Sequence, residues 1–150
     1  MGKISFERKI GKFRRVALDS MIFIYQFGKH AKFYHQTHYV FSLLDKKKLK
    51  IITSLISLIE TISFSELEDK PDLIQSYKDF FIKTKNLETI IPDFSIADEA
   101  ASLRRKYQLR TPDAIQLATA VVNKVEIFIT NDDRFRQVKE FPILLLKDFS

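Results

Sequence analysis

The hydrophobic and polar residues of this chain alternate between two patterns. Short runs that are almost entirely apolar predict buried strands, and longer stretches with apolar residues three or four positions apart predict helices. The predicted strands are RRVALD (14–19), KIITS (50–54), LETII (87–91), which Pro92 ends, EIFIT (126–130) and PILLLKDF (142–149). Because helical stretches separate strands that are apolar along their length, we expect an α/β fold in which helices cover both faces of a mostly parallel sheet.

The predicted helices begin at recognisable residues. Ser20 is a candidate N-cap of the first helix, and Ser95 with Asp98 has the spacing of a capping box, although with Asp in place of Glu or Gln. Thr111 can cap free backbone N–H groups, and Pro112 suits the first turn because it has no N–H to satisfy. The predicted helices span residues 21–34, 37–49, 54–67, 72–85, 96–109 and 111–122.

Four acidic residues occupy positions that suit a shared site. Asp19 ends the first predicted strand, and Asp132 directly follows the fourth. Asp113 lies in the first turn of a helix, where the helix dipole favours a carboxylate. Glu60 interrupts an apolar helix that we expect to be largely buried, where a charge is costly unless it is paired, hydrogen-bonded or bound to a cation. Because parallel strands end at one edge of a sheet, all four side chains can converge there.

Carboxylates that converge within a few ångströms repel one another, so they either take up protons or hold a hard divalent cation. The chain has no cysteine, and its histidines, including His35 and His38, are better explained as surface or partly buried residues. Ligation by oxygen alone points to Mg²⁺ or Mn²⁺ rather than Zn²⁺. Two of these four acids also have a structural explanation: Asp19 as a helix cap and Glu60 as an outward-facing helix residue. Asp98 is better explained as a cap than as a ligand.

The composition supports one domain over residues 1–150, since 45% of the residues are hydrophobic. No apolar run reaches the roughly 18 residues of a membrane span, and a cysteine-free chain suits a reducing cytoplasm, where we expect it to act. Residues 1–50 carry 12 Lys or Arg against three acids, whereas residues 51–150 carry 13 against 16. A basic first third can attract a polyanion, although a solvated surface explains the charge more simply. The cationic stretch 1–13 is predicted to be a basic N-terminal extension, as a basic arm, an added edge strand or residues outside the fold.

Four segments together resemble a known family. These segments are LDS (18–20), SLISLIE (54–60), TPDAIQLATA (111–120) and ITNDDRF (129–135). They are similar, in the same order, to the signature segments of the PIN domain, and most closely to those of the VapC-type toxin ribonucleases of bacterial and archaeal toxin–antitoxin pairs. The resemblance covers residues 14–146 and implies a PIN-like three-layer α/β/α domain. It also implies a metal site formed by Asp19, Glu60, Asp113 and Asp132 and supported by the hydroxyl group of Thr130.

The same resemblance implies a function. Members of this family are Mg²⁺- or Mn²⁺-dependent endoribonucleases, usually homodimers, and a cognate antitoxin protein commonly blocks the active site. For this chain it implies that Asp19, Asp113 and Asp132 bind the metal, while Glu60 binds it or orients the attacking water. The expected products carry a 5′-phosphate and a 3′-hydroxyl.

Other residues qualify this prediction. Met21 stands where the family often has an asparagine, which removes an amide from the surroundings of the site. Asp133, beside Asp132, is either a supporting ligand or a cap for the following turn. Arg105, Arg110 and Arg134 are candidate contacts to the RNA backbone.

Two other classes of function compete with a nuclease. One is a PIN-like module without catalytic activity that binds RNA or a protein, which the Met21 substitution favours. The other is a phosphate-receiver domain, another α/β fold with an aspartate after its first strand. A receiver domain needs a phosphoacceptor aspartate after the third strand, and only Asp93 is available there. The nuclease is therefore the leading hypothesis.

Overall fold

The strands form one parallel sheet, which confirms the predicted fold class. The structure, a computed structural model, describes residues 4–46 and 48–149. The strands are β1 (Arg15–Leu18), β2 (Lys50–Ser54), β3 (Leu87–Ile90), β4 (Ile127–Thr130) and β5 (Ile143–Leu145). They lie in the order β3-β2-β1-β4-β5, and every neighbouring pair is parallel. The chain builds outward from β1 in one direction and then resumes on its other side with β4, so the strand order reverses at the centre of the sheet.

Helices cover both faces of this sheet. In the described residues they are α1 (Phe6–Ile10), α2 (Ser20–Phe27), α3 (Tyr34–Asp45), α4 (Leu55–Ile62), α5 (Pro71–Lys83), α6 (Phe94–Lys106) and α7 (Thr111–Val122). Short 3₁₀ helices span Ser65–Leu67, Asp133–Gln137 and Leu146–Phe149. No helix in the described part of the chain is both long enough and apolar enough to cross a membrane.

The alternation of side chains along β1 divides the core into two halves. Val16 and Leu18 point to one face, where they belong to an aromatic-rich cluster with residues of α1, α2, α3 and α5. Ala17 points to the other face and joins a cluster formed largely by α6 and α7, in which Leu117 and Phe128 are fully buried. Successive strand residues face opposite sides of a sheet, so the three-layer arrangement follows from the apolar runs.

The predicted helix 21–34 is wrong in its length, and of its two candidate caps the structure has Asp19. α2 ends at Phe27, and the N–H of Gly28 donates to the carbonyl of Ile24 in a closing turn. Lys29 then adopts a φ of 49°, which takes the backbone out of the helical path. The N-cap is Asp19 rather than Ser20, since the Asp19 carboxylate accepts the N–H of Ser20, which is the first helical residue.

The predicted capping box at α6 is also wrong. Asp93, three residues before Ile96, is the N-cap, because its carboxylate accepts the Ile96 N–H at 3.0 Å and the Ser95 hydroxyl at 2.8 Å. Asp98 lies exposed within the helix. The last strand is shorter than predicted, since β5 ends at Leu145 and a 3₁₀ helix follows.

Helix α4 is not the largely buried helix that its apolar residues predict. Its fully buried residues are Ser57 and Thr61, whereas Ile59 is 52% exposed. The Ser57 hydroxyl accepts the Gln116 amide at 2.9 Å and lies 2.7 Å from the Thr53 hydroxyl, so small polar groups fill the inner face. The other apolar residues of α4 are half-buried, and Ile59 leaves hydrophobic surface on the outer side of the helix.

Residues 4–13 are neither an arm nor an edge strand, and residues 1–3 lie outside the described part. Ser5 caps α1, whose residues Phe6 and Ile10 are buried in the core. The Phe6 ring packs edge-on against Phe149 with 5.8 Å between centroids. Arg8 and Lys9 therefore lie on a helix that is part of the folded structure.

We expect Phe6→Ala to lower the free energy of unfolding by about 3 kcal/mol, because it removes a buried aromatic side chain and leaves a cavity. Ile4→Ala, at a residue that is 45% exposed, is the control and should change stability little. Urea unfolding of the two variants measures the difference. Equal stabilities would show that α1 does not contribute to the core.

Candidate active site

The site is built around Asp19, which directly follows the central strand β1. Its side chain is buried, with 3% of the residue exposed. Oδ1 accepts the Ser20 N–H at 2.8 Å, and Oδ2 accepts the Thr130 hydroxyl at 2.6 Å. The carboxylate thus caps α2 and also joins the ends of β1 and β4, so the capping explanation and the site explanation hold for the same residue.

Thr130, the last residue of β4, connects two of the acids. It is fully buried, its hydroxyl donates to Asp19, and the same oxygen accepts the Asp132 N–H at 3.1 Å. A β-branched residue suits the end of a buried strand, and its hydroxyl supplies both a donor and an acceptor. Thr130 therefore fixes the position of the Asp132 backbone relative to the Asp19 carboxylate.

Glu60 reaches the same place from α4. Its Oε1 accepts the Ser20 hydroxyl at 2.9 Å, and the residue is half-buried. Ser20 therefore joins Asp19 and Glu60 by donating its N–H to one and its hydroxyl to the other. This function of Ser20 was not predicted from the sequence, although the seryl hydroxyl of the LDS segment is a signal for it.

Asp113 is the third residue of α7, where its carboxylate faces two arginines. The side chain is only 8% exposed. Arg110 donates through Nε to Oδ2 at 2.9 Å and through Nη2 to Oδ1 at 3.4 Å. Nη1 of Arg134 lies 3.7 Å from the same Oδ2.

Asp132 caps the 3₁₀ helix that follows β4. Its Oδ1 accepts the backbone N–H of Arg134 at 2.9 Å and the side-chain Nε of the same residue at 3.2 Å. Arg134 therefore contacts both Asp132 and Asp113, which belong to different elements of the fold.

The charges of these groups also act on one another. Burial raises the pKa of Asp19 from 3.8 to about 7, and the negative charges of Asp113 and Glu60 add to this rise, while the hydrogen bonds from Thr130 and Ser20 oppose it. The hydrogen bond to Asp113 and its charge raise the pKa of Arg110 above its ordinary value, with smaller contributions from Asp132 and Glu60. The structure thus places all four predicted acids in one electrostatic neighbourhood.

The fit of these residues to a divalent metal is partial. The donors are carboxylate oxygens, which suit Mg²⁺ or Mn²⁺ in kind. However, nowhere in residues 4–46 and 48–149 do three acidic or histidine side chains form a group arranged to hold a metal ion. Asp113 and Asp132 contact Arg110 and Arg134 instead.

Two of the other predicted residues lie apart from this centre. Asp133 is turned toward Arg136 and Lys147, each at 2.9 Å, and these cations lower its pKa. It thus links the 3₁₀ helix after β4 to the one after β5. Arg105 is exposed on α6.

Met21 stands where the family resembled by the four segments often has an asparagine, and its side chain forms a contact of a different kind. Its sulfur accepts the Asn131 N–H at 3.1 Å, next to Thr130. The Asn131 side chain is buried, donates to the Tyr25 hydroxyl at 3.3 Å and accepts the Lys147 N–H at 2.8 Å. The thioether thus helps to hold the loop after β4, a contact that could not be found from the sequence.

Comparison with known proteins identifies the family. The sequence model of the PIN domain matches residues 16–141. This match spans most of the chain and includes the four segments described above, so the chain belongs to the PIN domain family. No curated protein matches the sequence.

Solved structures with the same fold include three toxin–antitoxin assemblies. VapBC2 from Rickettsia felis, bound to a promoter DNA fragment, is 21% identical with a TM-score of 0.67, covering 87% of this chain and 98% of that chain. A toxin–antitoxin complex from Klebsiella pneumoniae is 23% identical with a TM-score of 0.64, covering 87% and 97%. DNA-bound VapBC from Salmonella typhimurium is 18% identical with a TM-score of 0.68, covering 89% and 98%. At these identities the likeness shows the shared fold.

The raised pKa of Asp19 predicts how stability depends on pH in the metal-free protein. The folded state holds this proton more tightly than the unfolded chain, so stability falls as pH rises from about 4 to about 7. We expect Asp19→Asn to remove this loss, which amounts to about 2–3 kcal/mol between pH 5 and pH 8. Urea unfolding in EDTA at the two pH values measures it.

Asp98→Asn, which changes an exposed acid on α6, is the matched control and should retain the pH dependence of the wild type. If the wild type and Asp19→Asn lose equal stability between the two pH values, Asp19 is ionised in the folded protein throughout this range.

Proposed function

We propose that this PIN-domain protein is a metal-dependent endoribonuclease and the toxin of a toxin–antitoxin pair. The observation that supports this most strongly is the set of shared partners that connects the four acids near the ends of β1 and β4. Ser20 joins Asp19 to Glu60, Thr130 joins Asp19 to Asp132, and Arg134 joins Asp132 to Asp113. The strand order reverses between β1 and β4, and ligands of open α/β sheets bind beside such reversals.

In this proposal the acids divide the chemistry between them. A divalent cation held by Asp19, Asp113 and Asp132 would lower the pKa of a water molecule and offset the negative charge that develops on the phosphodiester. Thr130 orients Asp19 for this purpose. Glu60, which Ser20 holds through Oε1, orients the attacking water or accepts its proton through Oε2.

Water attack in line with the departing 3′-oxygen leaves a 5′-phosphate and a 3′-hydroxyl. The ribose 2′-hydroxyl takes no part, so the reaction needs no pair of histidines. Arg110 and Arg134, whose side chains are 59% and 47% exposed, lie at the rim of the site and can contact the RNA backbone. Arg105 on α6 is a further candidate contact.

The antitoxin is proposed to bind beside α4. An apolar groove with a volume of about 270 Å³ lies between α2, α4 and α5, and Phe27, Phe64 and Tyr77 contribute to its lining. Phe64, which follows the end of α4, is 48% exposed, and Ile59 on α4 is 52% exposed. A groove of this kind suits the apolar face of an amphipathic helix.

Homodimer formation is also proposed. Ile91 and Phe94 lie on either side of Pro92 and Asp93 after β3 and are 73% and 96% exposed. Large apolar side chains at such exposure favour association with another surface.

Purified protein should cut a mixed RNA pool with Mg²⁺ or Mn²⁺ but not with EDTA. We expect Asp113→Asn to reduce cleavage by about 100-fold or more, because it removes a proposed ligand while keeping a polar group of the same size at the start of α7. Asp98→Asn is the matched control. Gel analysis and end-labelling report both the rate and the expected 5′-phosphate.

Equal cleavage by wild type and Asp113→Asn would indicate a contaminating nuclease. No cleavage with either metal by folded, partner-free protein would favour the second candidate, a binding module without catalytic activity. The arginine contacts to Asp113 and Asp132 are the observation that supports this alternative.

Expression in a bacterial host should arrest growth, and co-expression of a small DNA-binding protein encoded beside this gene should relieve it. We expect Phe64→Asp to arrest growth without being relieved, because it places a charge in the apolar groove. Ile82→Asp, which changes a 71% exposed residue that does not line this groove, should be relieved like the wild type. If co-expression also relieves the growth arrest caused by Phe64→Asp, the antitoxin binds outside this groove.

A further inference from the structure

Arg134 is in contact with two of the four acids at once. Its Nε lies 3.2 Å from Oδ1 of Asp132, and its Nη1 lies 3.7 Å from Oδ2 of Asp113. Asp132 follows β4, whereas Asp113 begins α7. One guanidinium group therefore joins two carboxylates that the fold brings from different elements.

Arg110 adds a second cation to the same carboxylate. It approaches Asp113 with two nitrogens, in the forked geometry that matches a carboxylate. The two acids are nearly buried, with side chains 8% and 13% exposed, whereas both arginine side chains are about half exposed. The guanidinium groups thus lie on the solvent side of the acids.

The arginines contact carboxylate oxygens through which a metal could bind. Oδ2 of Asp113 lies within 4 Å of both guanidinium groups, and Oδ1 of Asp132 accepts two N–H groups of Arg134. A hard cation binds through the same oxygen lone pairs, and two cations in one place repel each other. These contacts also explain why the acids form no ready group of metal ligands in the described residues.

Resting on the function proposed above, we propose that Arg134, assisted by Arg110, is an internal counterion that competes with the divalent metal for Asp113 and Asp132. In the metal-free protein the guanidinium groups neutralise these acids. When the metal binds, Arg134 leaves both carboxylates. Its flexible side chain keeps it beside the site, where its planar group of donors matches a phosphate.

Arg134→Gln removes the guanidinium group but keeps the backbone N–H that Asp132 caps. The matched control is Arg136→Gln. Arg136 lies in the same 3₁₀ helix and its side chain is also 47% exposed, but it pairs with Asp133 and Asp148. Loss of any nearby positive charge raises affinity for a cation, and the control measures that general effect.

The experiment is a titration of the full chain with Mn²⁺, in which the EPR signal of free Mn²⁺ gives the dissociation constant without any RNA. We expect Arg134→Gln to lower the Kd by about two- to tenfold relative to Arg136→Gln, as expected for the loss of two partly exposed ion pairs. Asp113→Asn should abolish binding, which locates the ion. Thermal unfolding should show a correspondingly larger stabilisation of Arg134→Gln by Mn²⁺.

Two results would overturn the proposal. If the wild type binds Mn²⁺ in an Asp113-dependent manner but Arg134→Gln and Arg136→Gln have the same Kd, the competition is refuted while the proposed metal site stands. If neither the wild type nor Arg134→Gln binds Mn²⁺, the metal site and the competition are both refuted.

Discussion

The hydrogen bond between Thr130 and Asp19 is the interaction on which the site depends. It joins the ends of the two strands between which the strand order reverses, and it lies where both residues are almost fully buried. A buried carboxylate is costly without partners, and Thr130 and Ser20 supply two. The other acids are then placed relative to Asp19: Glu60 through Ser20, and Asp132 through the Thr130 oxygen. Substitution of Thr130 would therefore affect several contacts at once.

Much of the fold could be predicted from the chain because apolar runs and their periodicity report burial directly. The five strands, their parallel arrangement and the helices on both faces follow from patterns such as KIITS and EIFIT. Helix ends were less predictable, because several polar residues compete to cap them. Asp19 and Asp93 cap α2 and α6, although Ser20 and Ser95 are equally plausible caps from sequence alone.

The candidate site could be predicted to the level of residue position but not of side-chain contact. Asp19 and Asp132 were identified from strand ends, and Asp113 from the start of a helix. That Asp113 meets Arg134 depends on the packing of α7 against the loop after β4, which no local pattern encodes. The prediction for α4 was wrong for a related reason. Its apolar residues suggested burial, but the buried positions are taken by Ser57 and Thr61, whose hydroxyl groups are satisfied within the fold.

The pairing of β1 with β4 has a consequence for the order in which the protein becomes complete during synthesis. Thr130 and Asp19 are 111 positions apart, and β4 is made after all of the helices α1 to α7. A nascent chain that ends before β4 has Asp19, Glu60 and Asp113 but lacks Thr130 and Asp132. On the proposed function, a ribosome that has not yet reached Asp132 holds a chain without the full set of acids. Its messenger and ribosomal RNA are therefore not exposed to a complete site until translation is well advanced.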